Sequence, residues 1–453
     1  MDAVVMSGRG KLWAIAGVGS GLVTTILNTV IVEGPLIATF FVLSAATLVY
    51  LLARRPTPRS LLVSAGAIGI GITAALLIWF FVVRVYNVFG VGLGLSTYLW
   101  LAAVCVGICL ALSNLWDSTR RRKSIAVASV ALFLATGVLG INANFGMHRT
   151  LGALLEINTA QAITLAHPGS AANGAPVVPL SQTWTPPVGM PATGQTGTQV
   201  IPNTISGFAS RPAGIYLPPA ALVDNPPALP LVVLLMGQPG DPDPQYIAAT
   251  LDRDAAANNG LAPIVIVADQ LGDPARDPLC LDTAKYGNAE TFLTQDVVNW
   301  ARAHLNVIQD PRYWTIAGYS NGGQCAVALA VKHPDLWSNV VDISGEEFAG
   351  SENEAATLRD VFGGDQGAYD AQKPINLLAS SHLPQDMGVF TVGSNDTGFI
   401  QPVQRTADAA RAAGMSVTYW ESPNGGHVLP ALTDGLDEAF RVLYPRLGLA
   451  VTH

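Results

Sequence analysis

Long apolar runs fill the chain up to about residue 145, and shorter apolar runs separated by mixed segments follow after residue 199. A helix needs ~20 apolar residues to cross the ~30 Å hydrocarbon core of a bilayer, and each long run is close to this length. We therefore predict a transmembrane module over residues 1–145. It has four helices if the first run inserts poorly and otherwise five, at 12–32, 35–52, 61–83, 97–116 and 124–143.

Basic residues predict the orientation of this module. Arg54, Arg55 and Arg59 lie between the second and third runs, and the basic cluster Arg120–Lys123 lies between the fourth and fifth. The alternate connections carry almost no positive charge. Because cytoplasmic loops are enriched in Lys and Arg, we place both basic loops and the N-terminus in the cytoplasm, and everything after residue 145 outside.

The predicted spans themselves carry little polar chemistry. No Asp, Glu, Lys or Arg lies within them; Glu33 and Arg84 come close, and both fall at span ends. A transport pathway would need ionisable groups inside the membrane. The spans are therefore interpreted as an anchor or packing module, with glycines and serines (GVGSG, GAIGIG) suited to close helix contacts.

A segment rich in Pro, Gly, Ala, Ser and Thr covers residues 146–198. Such a composition cannot bury enough apolar surface to fold alone. We predict a linker that tethers an outer domain, residues 199–453, to the membrane module.

Short apolar runs alternate with helical patterns in this outer domain. The predicted strands are Gln199–Ser206, Gly214–Leu217, Leu229–Met236, Ala262–Ala268, Tyr313–Ala317, Val340–Ile343, Gly388–Val392 and Ser416–Trp420. The predicted helices are Gln245–Asn258, Glu290–Leu305, Gly323–His333 and Val403–Ala413. This alternation predicts an α/β domain with a mostly parallel sheet covered by helices on both faces.

The composition agrees with a chain that has one part in lipid and one part in water. Only 12% of the 453 residues are charged, whereas soluble domains carry about 25%. The acidic residues lie mainly after residue 220, and the formal net charge is -8. Without a basic stripe in the C-terminal half, a nucleic-acid partner is not expected.

Ser320 is the candidate nucleophile. It is the centre of a G-x-S-x-G pattern, Gly318–Gly322, between a strand-like run and a helical run. That pattern is typical of the sharp strand-to-helix turn that exposes a catalytic serine. A glycine turn whose serine only caps the helix is the alternative interpretation.

His427 is the candidate base. In this type of enzyme the chain order is Ser, then Asp or Glu, then His. Of the later histidines, His333 ends the helix after the serine, His382 precedes a strand at its wrong end, and His453 is the last residue. His427 follows the last predicted strand in a glycine-rich loop that can reach the site.

Asp396 is the candidate acid, because it follows the strand Gly388–Val392 and functional groups gather at the carboxyl ends of such strands. Asp342, Glu346 and Glu347, in and just beyond the preceding strand, are the alternatives.

Two backbone N–H groups should stabilise the oxyanion that forms when a serine attacks an ester. Asn321, directly after Ser320, is one predicted donor. The other should come from the loop Gly237–Gly240, where Gln238 is the best candidate because Pro239 has no N–H.

Four cysteines occur in the chain. Cys105 and Cys109 lie in the fourth span and are interpreted as apolar packing. Cys280 and Cys325 lie in the outer domain, where the environment is oxidising, so a disulfide and two reduced thiols are both open. No His, Cys or Asp residues have metal-ligand spacing, and neither a metal nor another cofactor is predicted.

Taken together, these segments resemble the putative-esterase branch of the α/β-hydrolase superfamily, which includes esterase-D-like enzymes and the secreted mycolyltransferases of mycobacteria. The resemblance runs over about 250 residues and includes LLMGQPG, AGYSNGGQCAVALAVKHPDLW, VGSND and GGH. It implies a serine hydrolase or acyltransferase with Ser320, Asp396 and His427 as nucleophile, acid and base. It also favours a Cys280–Cys325 pair. MGQPG replaces the commoner His-Gly opening of the oxyanion loop.

The leading hypothesis is a membrane-anchored serine esterase or acyltransferase that acts on acyl esters at the outer side of the membrane, through a Ser-His-Asp triad and an acyl-enzyme. Lipids or glycans of the cell envelope are the expected substrates, and membrane lipid is the expected surroundings. The competing hypothesis is a catalytically inactive hydrolase-like domain that binds or organises envelope components. A transporter with an outer domain is disfavoured by the uncharged spans.

Overall fold

A computed structural model describes residues 20–53, 57–86, 95–155, 157, 159, 161–165, 178–423 and 425–450. Its helices are α1 Ser20–Leu27, α2 Pro35–Leu52, α3 Pro58–Trp79, α4 Leu95–Ser113, α5 Arg120–Phe145, α6 Leu151–Leu154, α7 Leu180–Thr183, α8 Gln245–Ala257, α9 Ala289–Thr291, α10 Val297–His304, α11 Asn321–Lys332, α12 Glu354–Asp360, α13 Gln366–Asp370, α14 Pro374–Ala379, α15 Ile400–Ala412 and α16 Leu429–Arg446. Two π-helical segments, Phe80–Val85 and Phe292–Asp296, follow α3 and α9.

The strands are β1 Gln195–Gln199, β2 Ala213–Leu217, β3 Leu231–Leu235, β4 Ile264–Ala268, β5 Asp282–Thr283, β6 Gly287–Asn288, β7 Trp314–Tyr319, β8 Asn339–Ile343, β9 Met387–Gly393 and β10 Ser416–Ser422. Eight of them form one sheet in the order β1-β2-β4-β3-β7-β8-β9-β10. Within this sheet the two β2 pairings are antiparallel, and the other pairings are parallel. Strands β5 and β6 form a separate antiparallel pair. The predicted mostly parallel sheet of an α/β-hydrolase fold is thereby confirmed.

Four helices within the described residues are long and apolar enough to cross a membrane: α2, α3 with its π-helical extension, α4 and α5. The first predicted run, 12–32, falls mostly outside the described residues. Its described part is helical only to Leu27, after which Val30 pairs with Thr150 in an isolated bridge. The fifth run is longer than predicted because Thr119 caps α5 through the Arg122 N–H and Gly146 ends it in a left-handed conformation.

Small residues bring these helices together. Gly71 on α3 lies so close to α4 that a Cβ there would come within 2.6 Å of the Val106 Cα. The buried hydroxyls of Ser44 and Thr136 form a 2.7 Å hydrogen bond between α2 and α5. Such contacts are typical of helices packed in lipid. Large apolar side chains remain exposed on the same helices, among them Val42, Leu62, Ile70 and Leu99.

The first strand lies earlier than the sequence suggested. Gln199–Ser206 was the predicted strand, and this prediction is wrong: β1 ends at Gln199 and pairs with β2. Residues 200–206 form no strand, and Pro202 among them has no N–H to donate to a ladder.

The predicted linker is also partly structured. Within residues 178–198, Leu180 and Trp184 pack against the core of the α/β domain. The Ser181 N–H donates to the Gly448 carbonyl at 2.9 Å. The end of this segment therefore belongs to the domain, while residues 156, 158, 160 and 166–177 of the predicted linker lie outside the described residues.

We expect Gly71→Leu to destabilise the helical module, because its side chain would force α3 and α4 apart. Overpacking of this kind costs about 1–3 kcal/mol. Thermal unfolding of the full-length protein in detergent should show a lower midpoint. Gly69→Leu is the matched control, since a Cβ at Gly69 meets nothing within 4 Å. Equal midpoints for the two variants would contradict the close packing.

Asp342 is a carboxyl group buried inside the sheet, in β8, and its side chain should make stability depend on pH. Burial raises its pKa to about 7, against about 3.9 in an unfolded chain. Between these values the folded state keeps a proton that the unfolded state has lost. The free energy of unfolding should therefore fall as pH rises from about 4 to 7, by up to about 1.4 kcal/mol per unit.

Asp342→Asn should weaken this dependence, so that its thermal midpoint changes less between pH 5 and pH 8 than that of the wild type. The exposed Asp224 provides the control: Asp224→Asn should retain the wild-type dependence. If Asp342→Asn follows the wild-type curve in parallel, the carboxyl is ionised in the folded protein and this prediction is wrong.

Candidate active site

Ser320 occupies the single position between β7 and α11. Its backbone has φ 56° and ψ -119°, a region that non-glycine residues rarely adopt and that costs about 1–3 kcal/mol. Its N–H donates to the Ile343 carbonyl at 2.9 Å, and its carbonyl accepts the N–H of Gly323 at 2.9 Å. The neighbouring strand and the first turn of α11 thus hold the serine in this conformation.

The glycines of the motif are required by close backbone approach. A Cβ at Gly318 would overlap the Gly322 carbonyl group, and a Cβ at Gly322 would overlap the Leu235 carbonyl group of β3. Any larger residue would push α11 away from the sheet and displace Ser320. The G-x-S-x-G pattern therefore has a steric cause in this fold.

His427 lies between Ser320 and Asp396. Its Nε2 is 2.8 Å from the Ser320 Oγ, and its Nδ1 is 2.8 Å from the Asp396 Oδ2. If the Nδ1–H donates to the carboxylate, the Nε2 lone pair can accept the serine proton. Ser320 and Asp396 are 7% and 5% exposed, so this line of hydrogen bonds is largely shielded from water.

Two loops meet to bring the acid and the base together. The Ser394 N–H donates to the Ser422 carbonyl at 2.9 Å, and the Asn395 N–H donates to the Gly425 carbonyl at 2.6 Å. These bonds join the loop after β9, which carries Asp396, to the loop after β10, which carries His427.

Aromatic rings fix the plane of the imidazole. Phe399 stacks on His427 with ring centroids 3.9 Å apart, and Tyr319 stacks at 5.3 Å. Phe399 follows Asp396 by three residues, and Tyr319 precedes Ser320. The two residues that hold the ring therefore lie next to its partners in the chain: Phe399 in the loop that carries Asp396, and Tyr319 at the end of β7 directly before Ser320.

The alternative acids have other surroundings. Asp342 lies within β8, and Glu347 forms a 2.8 Å ion pair with Arg405.

Another histidine considered for the base does not lie at this site. His333 lies 2.9 Å from Glu290 at the far end of α11. His453 lies outside the described residues.

The chain segments that carry the two predicted oxyanion donors lie next to Ser320. Asn321 is the first residue of α11, and the N–H groups of a first helical turn have no acceptor within the helix. Gly237, next to Gln238, lies against the nucleophile, since a Cβ there would be 3.1 Å from the Ser320 Cβ. The Gly240 N–H donates to the Gly237 carbonyl at 2.7 Å and closes the turn that contains Gln238.

Gln270 was not identified from the sequence. Its buried side-chain amide donates to the Met236 carbonyl and lies 3.3 Å from the Asn321 Oδ1. It thereby joins the start of the oxyanion loop to the residue after the nucleophile. A lone glutamine after a strand carries no sequence signal for this position.

The Cys280–Cys325 disulfide favoured by the resemblance is present, with Cα atoms 5.7 Å apart. It attaches the long loop after β4 to α11, five residues beyond Ser320. Cys105 and Cys109 of α4 are free.

Three carboxyl groups gather beside the nucleophile. One oxygen each of Asp277, Glu346 and Glu352 lies within 4.8 Å of the others, and the Glu346 N–H lies 3.4 Å from the Ser320 carbonyl oxygen. Burial raises all three pKa values, and repulsion from Asp277 adds to the effect at both glutamates, with Glu352 raised to about 7.

These groups are the ones within the described residues that could hold a cation. Asp277 and Glu352 are 75 positions apart in the chain, which is why the sequence did not reveal them. The expectation that no metal is bound rested on sequence spacing and stays a prediction.

Comparison with solved structures reveals several α/β-hydrolases. An S-formylglutathione hydrolase from Agrobacterium tumefaciens is 17% identical, with 57% of this chain and 97% of that chain covered and a TM-score of 0.48. A ferulic acid esterase is 17% identical, with coverages of 56% and 99% and a TM-score of 0.46. MPT51 of Mycobacterium tuberculosis is 16% identical, with coverages of 53% and 93% and a TM-score of 0.38.

Sequence comparison identifies the family of the chain. A family model described as "Putative esterase" matches residues 209–427, a range that includes Ser320, Asp396 and His427. An uncharacterized protein of Corynebacterium glutamicum is 32% identical over 351 residues, which are 75% of this chain and 80% of the relative. That alignment is longer than the family match, so the relative also shares sequence outside it. The chain belongs to this esterase family.

Proposed function

We propose that the protein is a membrane-anchored serine esterase or acyltransferase that acts on acyl esters at the outer side of the membrane. The observation that carries this proposal is the continuous hydrogen-bonded line Ser320–His427–Asp396. A serine needs such an oriented base to become a nucleophile. The family match covers all three residues.

In the proposed reaction, the Ser320 Oγ attacks the ester carbonyl carbon while the His427 Nε2 takes its proton. The carbonyl π electrons move to the oxygen, and the Asn321 and Gln238 amides stabilise this oxyanion. The intermediate collapses, and the alcohol leaves with the proton from His427. Water or an acceptor alcohol then attacks the acyl-enzyme by the same steps, which releases an acid or a new ester.

The contact between the catalytic domain and α5 supports a substrate held at the membrane. Leu429, two residues after His427, packs on Gly146 at the end of α5: a Cβ on this glycine would be 2.8 Å from the Leu429 Cδ1. The Tyr246 hydroxyl donates to the Gly146 carbonyl at 2.9 Å. The loop that carries the base therefore adjoins the end of a predicted span, where an envelope lipid or a surface glycan ester could reach it.

The basic end of α5 supports the proposed orientation. Arg122 uses its guanidinium to cap the end of α2, donating to the carbonyls of Tyr50 and Leu51 at 2.8 and 2.7 Å. Arg120, Arg121 and Lys123 share this end of the helix, opposite the α/β domain. Positive charge favours the cytoplasmic side, and this supports a catalytic domain on the outer side of the membrane.

A fluorophosphonate probe should label the wild-type protein, and Ser320→Ala should abolish the labelling because the reacting oxygen is gone. Asp396→Asn should lower ester turnover by roughly 10³–10⁴-fold, since His427 loses its orienting carboxylate. Labelling is read on a gel and turnover with a chromogenic short-chain ester.

Asp342→Asn is the matched control for Asp396→Asn, because it removes a buried carboxyl group that does not contact His427. It should keep turnover within about threefold of the wild type, the range expected when no catalytic contact changes. A wild type that is not labelled, or a Ser320→Ala variant labelled equally, would favour the non-catalytic binding domain.

The orientation has its own test. In a protein whose Cys105 and Cys109 are replaced by serine, Ser380→Cys on the α/β domain should react with a membrane-impermeant maleimide in intact cells. Ser118→Cys, in the loop between α4 and α5, should react only after the cells are opened. The reverse pattern would place the catalytic domain in the cytoplasm.

A further inference from the structure

His148 connects the membrane module to the catalytic domain. It lies two residues beyond Gly146, and its Nδ1 is 2.8 Å from the Oδ2 of Asp241. Asp241 directly follows the oxyanion loop, Gly237–Gly240. The two side chains are 18% and 27% exposed, so the contact is largely shielded and weakened less by solvent than a surface pair.

On the membrane side, α5 fixes the position of His148. The Asn142 side chain donates to the His148 carbonyl at 2.7 Å and accepts the His148 N–H at 2.9 Å. Asn142 lies in the last turn of α5 and is buried. A shift of the end of α5 would therefore move the imidazole with it.

On the catalytic side, Arg211 links Asp241 to the oxyanion loop. Its Oδ1 accepts an Arg211 Nη1–H at 2.9 Å, and the Arg211 Nη2 donates to the Gly240 carbonyl at 2.9 Å. The same guanidinium pairs at 2.8 Å with Asp269, whose side chain is fully buried. Arg211 is thus fixed by two carboxylates while it holds the loop.

The peptide that Arg211 holds belongs to the turn that contains the proposed donor. Gly240 closes this turn onto Gly237, which packs against Ser320. An oxyanion donor contributes only when its N–H points at the developing charge. An error of about 1 Å in such a group can reduce the rate by 10²-fold. The contacts that fix this turn should therefore affect the stability of the transition state more than the affinity for substrate.

We infer that His148 is a positioning residue for the oxyanion loop, so that docking of the end of α5 completes the active site. The inference rests on the proposed function. It makes the membrane module part of the catalytic framework, through the series Asn142, His148, Asp241 and Arg211 to Gly240. His148 itself does not touch the reacting atoms.

The test compares kcat and KM for a soluble chromogenic ester, with the full-length protein in detergent. His148→Ala should lower kcat by about tenfold or more and leave KM within about twofold, since the loss falls on the transition state. His148→Asn should restore kcat to within about threefold of the wild type, because its amide can donate to Asp241 from nearly the same place as Nδ1.

His333→Ala is the matched control: it removes a histidine–carboxylate contact of 2.9 Å at the far end of α11. It should leave kcat unchanged. Thermal midpoints measured alongside show whether each variant is folded. If His148→Ala does not fold, Asp241→Ala tests the same contact from the other side. If both single variants fold, their double variant should lose no more kcat than the worse single one.

The outcomes separate the two proposals. A wild type without turnover or fluorophosphonate labelling overturns the proposed function and this inference together. A wild-type kcat in folded His148→Ala overturns the inference alone. An equal loss in His333→Ala, or no rescue by His148→Asn, also overturns it, because the effect would then be one of general stability.

Discussion

At Ser320 the chain leaves β7 and enters α11 within one residue. Its backbone conformation is unfavourable for a non-glycine residue, and hydrogen bonds to β8 and α11 hold it in place. The turn is possible because residue 322 is a glycine. β3 and α11 approach each other so closely there that no side chain would fit. Everything else in the site is arranged around this fixed point. The loops after β9 and β10 bring His427 to the hydroxyl, and Gly237, in the loop after β3, packs against Ser320.

Burial alone does not distinguish the proposed catalytic acid from other carboxyls in this domain. Asp342 and Asp396 are both almost fully buried, but only Asp396 has an imidazole within hydrogen-bonding distance. Asp342 has no such partner, and burial shifts its pKa towards neutrality. A buried carboxylate is stable when a nearby group compensates its charge; without one, it takes up a proton instead. The geometry around each group therefore decides its role.

Chain order and apolar pattern were sufficient to predict the mostly parallel sheet, four long apolar helices and the proximity of Ser320, Asp396 and His427, because each of these features is local or follows the order of the strands. The catalytic roles of the three residues stay a prediction. The first strand was misplaced because β1 is polar and is defined only by its pairing with β2. Three features were missed for a related reason: Gln270, the cluster of three carboxyl groups of Asp277, Glu346 and Glu352, and the His148–Asp241 contact. Each depends on residues brought together from distant parts of the chain, and none has a repeating pattern that would reveal it.

The contact between α5 and the α/β domain limits how freely the domain can rotate relative to the membrane module. A flexible tether would leave the catalytic domain free to turn relative to the bilayer. Here Gly146 follows α5 directly, and the Tyr246 hydroxyl, Leu429 and the His148–Asp241 pair all meet the chain within three residues of that point. A contact this close to the end of a predicted span leaves little freedom for rotation. The α/β domain should then keep one orientation relative to α5, so the helix acts as a fixed support for the domain and not as a flexible tether.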